Sequence, residues 1–160
     1  MTDTTEAVKT NRVAIGGISA GVLALVVGVV TYFEGYTPKA YRDPVGILTA
    51  CYGHTGSDVY DGKRYTRAEC DALLHEDLAE ANRAVSACIF VPLKDNERAA
   101  LVSFAYNVGQ VQLCKSTLAR KANHGEPFCA ELDKWVYSKG KRFNGLVKRR
   151  AAERALCEAN

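Results

Sequence analysis

Apolar positions dominate the first part of the chain and then give way to patterned segments. Residues 13–33 form an uninterrupted apolar run without a charged side chain, about the length that a helix needs to cross a bilayer. Within this run Val26, Val30 and Phe33 recur at three- and four-residue spacing, which gives a helix a stripe to bury. The run therefore suits either a membrane or the core of a folded domain.

The segment from Lys39 to His54 has the pattern of short β-strands. Ile47, Thr49 and Cys51 alternate with the residues between them, after an Asp-Pro-Val-Gly turn. Alternation of this kind is typical of half-buried strands bounded by turns. Thr49 is therefore expected on one face of a strand.

The remainder of the chain follows a helical period. Residues 66–69, Thr-Arg-Ala-Glu, form a capping box that begins a helix ended by Pro92. Its apolar residues share one face: Cys70, Leu73, Leu74, Leu78, Ala81, Val85 and Cys88. Further helices are predicted at about 96–108 with Gly109 as the stop, at 116–125, at 127–137 and at 145–156. The predicted fold class is α+β, a small β region followed by a mainly helical part.

The apolar run has three competing interpretations. It is longer than the ~7–15 apolar residues of a cleaved signal peptide and lacks a small-residue cleavage site at its end. A permanent anchor is the second interpretation. The third interpretation is an anchor that can leave the membrane. It is favoured because the run contains four Gly, three Ala, Ser19 and Thr31, which weaken its insertion into the bilayer. Lys9 and Arg12 precede the run, so the N-terminus is expected in the cytoplasm and the rest outside.

Charge and cysteine content narrow the class of protein. The net charge of +3 arises entirely after residue 33, which suits an anionic polymer but makes nucleic acid a weak candidate. Between residues 139 and 150 there are six basic side chains and no acidic one, either a solvated face or a surface attracted to an anionic cell wall.

Six cysteines follow the apolar run, none in a Cys-x-x-Cys pair or at zinc-like spacing with histidine. An even number outside the cytoplasm favours disulfides, with buried free thiols as the alternative, and the sequence does not choose among the possible pairings.

Candidate chemistry lies directly after the apolar run. Glu34 is followed by Asp43 nine positions later and by Thr49 six positions after that, with a turn at 43–46 that folds the segment back. Two carboxyls and a hydroxyl brought together in this way suit hydrolysis of a glycosidic bond. Taken singly, Glu34 could be a membrane-boundary charge, Asp43 a turn residue and Thr49 an ordinary strand residue. Their joint spacing favours catalysis.

At these residues the chain resembles the phage lysozymes of the T-even type, the endolysins of glycoside hydrolase family twenty-four. The pattern Glu, eight residues, Asp, five residues, Thr is the catalytic signature of that family. The resemblance runs from about Tyr32 to the C-terminus. It includes Gly53-His54-Thr55, the segment 103–109, Ser116-Thr117-Leu118, Trp135 and the segment 145–150. The apolar run is similar to that of the signal-anchor-release endolysins, and it contains no cysteine.

The resemblance implies roles for individual residues. Glu34 would be the general acid, a role that needs a carboxyl protonated near neutral pH. Asp43 would stabilise the sugar cation or help to activate water, and Thr49 would help to position that water. Arg150 would pair with Glu34, with Arg149 as the neighbouring alternative. The fold would be lysozyme-like, with an N-terminal apolar helix, and the reaction would invert the anomeric carbon.

Three further residues are predicted from the sequence itself. His54 is expected to be structural, held by a carboxylate, rather than a ligand or base. Asp77 is the partner that we name, because it lies seven residues after Cys70 on the apolar helix face and a buried acid needs pairing. Asn107 is expected either to hydrogen-bond substrate or to cap a helix.

The resemblance implies a muramidase that cuts the β-1,4 bond between N-acetylmuramic acid and N-acetylglucosamine in peptidoglycan and lyses the host. Residues 1–33 would hold it in the inner membrane, and residues 34–160 would be the catalytic domain, later free in the periplasm. A lytic transglycosylase and a membrane-anchored wall-binding module are the alternatives. Phosphate-loop, zinc-protease and serine-hydrolase motifs are missing from the sequence, so we expect no cofactor and no metal. A monomer is expected.

Overall fold

The computed structural model describes residues 17–160. Residues 1–16, including the predicted cytoplasmic tip and the first four positions of the apolar run, lie outside the described residues. Among residues 17–160, no helix combines the length and the apolar character that a membrane span requires.

The first helix, α1, occupies Ala20–Glu34 within the apolar run. The hydroxyl of Ser19 accepts a hydrogen bond from the amide of Val22 at 3.2 Å and so caps the first turn. Every fourth residue of this segment is buried in the common core, namely Ile18, Val22, Val26 and Val30. The stripe thus begins before the helix does, and α1 packs against the helix at Asp95–Val108.

A small antiparallel sheet follows α1. It consists of β1, Thr37–Arg42, β2, Leu48–Cys51, and β3, His54–Thr55, in that order. Thr49 pairs with Tyr41 on one side and with Thr55 on the other, so it lies in the central strand as its alternating pattern predicts. Its side chain is buried.

The helical part begins with α2, Arg67–Cys88, and continues with α3, Asp95–Val108. The predicted capping box between Thr66 and Glu69 is present, and Gly109 ends α3 as predicted. Most of the predicted apolar face of α2 is fully buried, and Leu73 is partly buried. Helix α3 is central because it packs against α1, α2 and the last helix, Asn144–Glu158.

The C-terminal third departs from the prediction in two places. A short helix not expected from the sequence, α4, Gln110–Lys115, precedes α5, Thr117–Asn123. Ser116 caps α5 as expected. The helix predicted at 127–137 is wrong. That segment is a 3-10 helix, Cys129–Lys134, followed by a hairpin of β4, Tyr137–Ser138, and β5, Lys141–Arg142, before α6, Asn144–Glu158.

The six cysteines form three disulfides, as the sequence favoured. Cys51–Cys70 joins β2 to the first turn of α2, and Cys88–Cys114 joins the end of α2 to α4. Cys129–Cys157 joins the 3-10 helix to α6. Each bridge therefore ties together two elements that also pack against one another.

Candidate active site

Glu34 is the last residue of α1 and is held from two sides. Its Oε1 accepts a hydrogen bond from Nη1 of Arg149 at 2.6 Å, and 21% of its side chain is exposed. On the other side it approaches Gly53 so closely that a Cβ built there would lie 2.7 Å from Oε2. The carboxyl is therefore confined between α6 and the turn that joins β2 to β3.

The arginine predicted to pair with Glu34 needs a correction. Arg149 makes this ion pair, whereas Arg150 turns to Glu153 and to the side-chain oxygen of Asn107. Both arginines lie on α6, where one residue step rotates a side chain by about 100°. Only one of two consecutive residues can therefore face Glu34.

Asp43 lies in the turn between β1 and β2. Its Oδ1 accepts hydrogen bonds from the amides of Val45 at 3.0 Å and Ile47 at 2.8 Å, which fix the carboxyl relative to the hairpin. Thr49 follows on β2, and its hydroxyl donates to the carbonyl of Ile47 at 3.1 Å. Strand β2 thus connects the turn that carries Asp43 with the turn that touches Glu34.

A cleft of about 330 Å³ opens beside this turn. Gly53, which contacts Glu34, is one of its walls, and Thr55 of β3 is another. The opposite walls come from α2, α3 and the start of α4: Asp77, Glu80, Ala81, Ala84, Ala105, Tyr106, Gly109 and Gln110. Glu34 does not itself line the cleft, but Gly53 lies both in the cleft wall and against the carboxyl of Glu34.

His54 is buried between two carboxylates beside the cleft. Its Nδ1 lies 2.7 Å from Oδ2 of Asp77, the partner named from the sequence, and its Nε2 lies 2.8 Å from Oδ1 of Asp58. Burial lowers the pKa of His54, but the hydrogen bonds and charges of the two carboxylates outweigh burial, so the pKa is raised. The contact between His54 and Asp77 ties β3 of the sheet to α2. This geometry is what a structural histidine requires.

The pKa values of Asp58 and Asp77 shift in opposite directions. The hydrogen bond to His54 lowers the pKa of Asp58, which is otherwise exposed to solvent. Burial raises the pKa of Asp77, although His54 acts against that rise.

Asn107 lies on the last turn of α3 with an exposed side chain. Its oxygen accepts from Arg150, and Gly109, not Asn107, is the residue that ends the helix. Asn107 therefore does not cap the helix. Its expected contact with substrate stays a prediction.

Several residues of the site were not predicted from the sequence. The hydroxyl of Tyr106 donates to the carbonyl of Tyr52 at 2.6 Å, and burial, with Asp77 and Glu34 nearby, raises its pKa. Ser103 and Glu153 form a buried hydrogen bond of 2.7 Å beneath Arg149. Tyr106 and Ser103 belong to the motif at 103–109, but nothing local to them indicates their partners. Within the part of the chain that the structure describes, no group of three or more His, Cys, Asp or Glu side chains could hold a metal ion.

The sequence matches the Phage lysozyme family over residues 31–153. The chain belongs to this family. It is 43% identical to the SAR-endolysin of Bacteriophage PS119 over 151 residues, which cover 89% of this chain and 90% of that protein. It is 41% identical to the SAR-endolysin of Enterobacteria phage P21 over 157 residues, 93% of each chain.

Among solved structures, the muramidase domain of SpmX from Asticaccaulis excentricus superposes with a TM-score of 0.78 and 33% identity. The alignment covers 89% of this chain and 98% of that domain. The fold is therefore lysozyme-like, with helices and a small antiparallel sheet. Membership of the family makes this chain a glycosidase of the lysozyme type, an endolysin that acts on peptidoglycan.

Proposed function

We propose that this endolysin hydrolyses the β-1,4 bond between N-acetylmuramic acid and N-acetylglucosamine, with Glu34 as the general acid. The observation that carries the proposal is the position of the Glu34 carboxyl. One oxygen is bound to Arg149 at 2.6 Å, and the other faces Gly53 in the wall of the cleft. Because Arg149 occupies Oε1, the proton would be carried on Oε2, and a carboxyl held in this way can deliver it to a leaving oxygen in a fixed direction.

Asp43 is the second carboxyl of the proposed mechanism. Backbone amides occupy its Oδ1, which leaves Oδ2 to face a water or the developing positive charge on the sugar. An inverting reaction needs the two carboxyls about 6.5–9.5 Å apart, with a water between the second carboxylate and the sugar. Thr49 lies on the strand between the two turns and would help to hold that water.

The decisive variant is Glu34→Gln, which keeps the shape of the side chain and removes its proton. It should abolish the loss of turbidity of a wall suspension and leave binding to the wall intact. Glu158→Gln, an exposed position at the far end of α6, is the matched control and should behave like the parent. Full activity of the Glu34 variant would remove Glu34 from the reaction.

Product analysis separates the enzyme alternatives. A muramidase leaves a reducing sugar end, whereas a lytic transglycosylase leaves an anhydro sugar. Asp43→Asn and Thr49→Glu should each lower the rate by ~10²–10⁴ if these side chains activate or position water. Thermal unfolding of Asp43→Asn should change little, whereas Thr49→Glu should also lower stability, because Thr49 is buried and a carboxylate is costly there. Near-normal turnover with an anhydro product would favour the transglycosylase, and wall binding without any turnover in the parent would favour a binding module.

We further propose that residues 1–33 tether the protein to the inner membrane, with the N-terminus inside, and that the catalytic domain, 34–160, becomes active on release into the periplasm as a monomer. A helix over the whole apolar run would be about 31 Å long, enough for the ~30 Å hydrocarbon core. In the folded enzyme α1 starts only at Ala20 and would measure about 22 Å. Release would therefore require the helix to be broken at Ser19, and the freed stripe to enter the core.

Gly28 provides a clean test of release. It lies on the exposed side of α1, and a Cβ there meets nothing within 4 Å, so a larger side chain leaves the folded enzyme intact. Gly28→Leu should strengthen membrane insertion, slow the transfer of uncleaved protein to the soluble fraction when the membrane potential is collapsed, and delay lysis. Gly28→Gln, similar in size but polar, is the control. Equal release of the two variants would contradict tethering as the control step. A soluble active form that begins after residue 33 would show cleavage instead.

A further inference from the structure

Glu153 lies at the centre of a buried network beneath the candidate catalytic acid. It belongs to α6 and is fully buried. Its Oε1 accepts from Oγ of Ser103 at 2.7 Å and from Nε of Arg149 at 3.2 Å, and its Oε2 accepts from Nη1 of Arg150 at 2.6 Å. A buried carboxylate is costly unless it is paired, so three donors from two helices are needed to keep it there.

The guanidinium of Arg149 is fixed by three acceptors. Nε donates to Glu153, Nη2 donates to the carbonyl of Ser103 at 3.2 Å, and Nη1 is left to reach Glu34 at 2.6 Å. Because the guanidinium is planar and rigid, fixing Nε and Nη2 also fixes the direction in which Nη1 points. The contact of Arg149 with Glu34 is thus set from behind by Glu153.

Glu153 also pairs with both arginines. Arg149 and Arg150 are consecutive, and both are buried. Burial lowers the pKa of Arg150 to about 10, although the charge of Glu153 opposes this. With Glu34 and Glu153 present, two positive and two negative charges balance. Without Glu153, one of the two buried guanidiniums would lack a carboxylate partner.

We propose that Glu153 is a positioning residue for catalysis that orients Arg149, and through it the carboxyl of Glu34, toward the cleft. The proposal rests on the proposed function of Glu34 as the general acid. Because Glu153 is fully buried, it touches no substrate. Its loss should therefore lower kcat and leave KM nearly unchanged, since the defect lies in the geometry of the acid and not in binding.

The simple variant Glu153→Gln leaves an unbalanced pair of buried arginines and could fail to fold for that reason alone. The informative comparison is between Arg150→Met and the double variant Arg150→Met with Glu153→Leu, because leucine, unlike glutamine, cannot accept the hydrogen bonds from Arg149 and Ser103. In the double variant the remaining buried charges, Arg149 and Glu34, balance, so thermal unfolding should return to near that of the parent. Only the carboxylate that orients Arg149 is missing.

Kinetics on a soluble glycan substrate should show a kcat for the double variant about 10- to 100-fold below that of Arg150→Met, because a displacement of the order of 1 Å can cost 10²-fold. KM should stay within about twofold. A double variant that matches Arg150→Met in kcat would overturn the proposal and leave Glu153 with charge balance alone. If Glu34→Gln itself remains active, the proposed function fails, whatever the double variant does.

Discussion

Gly53→Ala tests the geometry around Glu34 most directly, because both the backbone conformation of Gly53 and its closeness to Glu34 disfavour a side chain there. Its φ is +76°, in the left-handed region, where a side chain costs roughly 1–2 kcal/mol. Its added methyl would also lie 2.7 Å from Oε2 of Glu34, against an ordinary contact of about 3.5 Å. The carboxyl would therefore have to move by nearly 1 Å.

Movement of this size would disturb the 2.6 Å contact between Glu34 and Arg149 and redirect the acid. The expected consequence is a loss of about 10²-fold in the rate of wall hydrolysis, together with the loss of stability from backbone strain.

Gly62→Ala is the matched control for this experiment. Gly62 has φ of +74°, and a Cβ there meets nothing within 4 Å. It should therefore lose a similar ~1–2 kcal/mol of stability while keeping its activity. Both variants are compared by urea unfolding and by the turbidity of wall suspensions. If Gly53→Ala and Gly62→Ala hydrolyse walls at the same rate, the carboxyl of Glu34 is not confined by Gly53.

Two other predictions follow from the structure. The raised pKa of His54 means that its ion pairs stabilise the fold fully below the ordinary histidine value of about 6.5, and that this contribution is lost as pH rises through the folded pKa. Urea unfolding of His54→Asn should therefore show a larger deficit at about pH 5.5 than at about pH 9, and equal deficits would contradict the pairing. Replacing Cys88 and Cys114 by serine, which opens a bridge across 26 positions, should lower the free energy of unfolding by about 3 kcal/mol. Thiol titration of the denatured, unreduced parent should detect no free thiol, and six would rule out the bridges.

Local patterns were enough to predict the elements around the site. The capping box at Thr66, the cap at Ser116 and the stop at Gly109 depend on contacts within one helical turn, so they could be read from neighbouring residues. The turn at 43–46 and the alternation around Thr49 predicted Asp43 in a turn and Thr49 on a strand, and the structure has both there.

Longer-range choices needed the tertiary structure. The rotation of α6 about its axis decides which of Arg149 and Arg150 faces Glu34. A shift of one residue in the sequence rotates the side-chain direction by about 100°. The segment after Pro127 carries no strong period, and the pairing of Tyr137 with Arg142 turned part of it into a hairpin rather than a helix.

The sequence by itself determined the family, the order of most elements and the residues that could carry chemistry, because all of these are written in local spacing and in residue type. The pairing of the six cysteines, the second carboxylate on His54 and the burial of Glu153 between two arginines were decided only by the tertiary structure. The physical reason is that each joins residues far apart in the chain, whose contact exists only after the helices have packed.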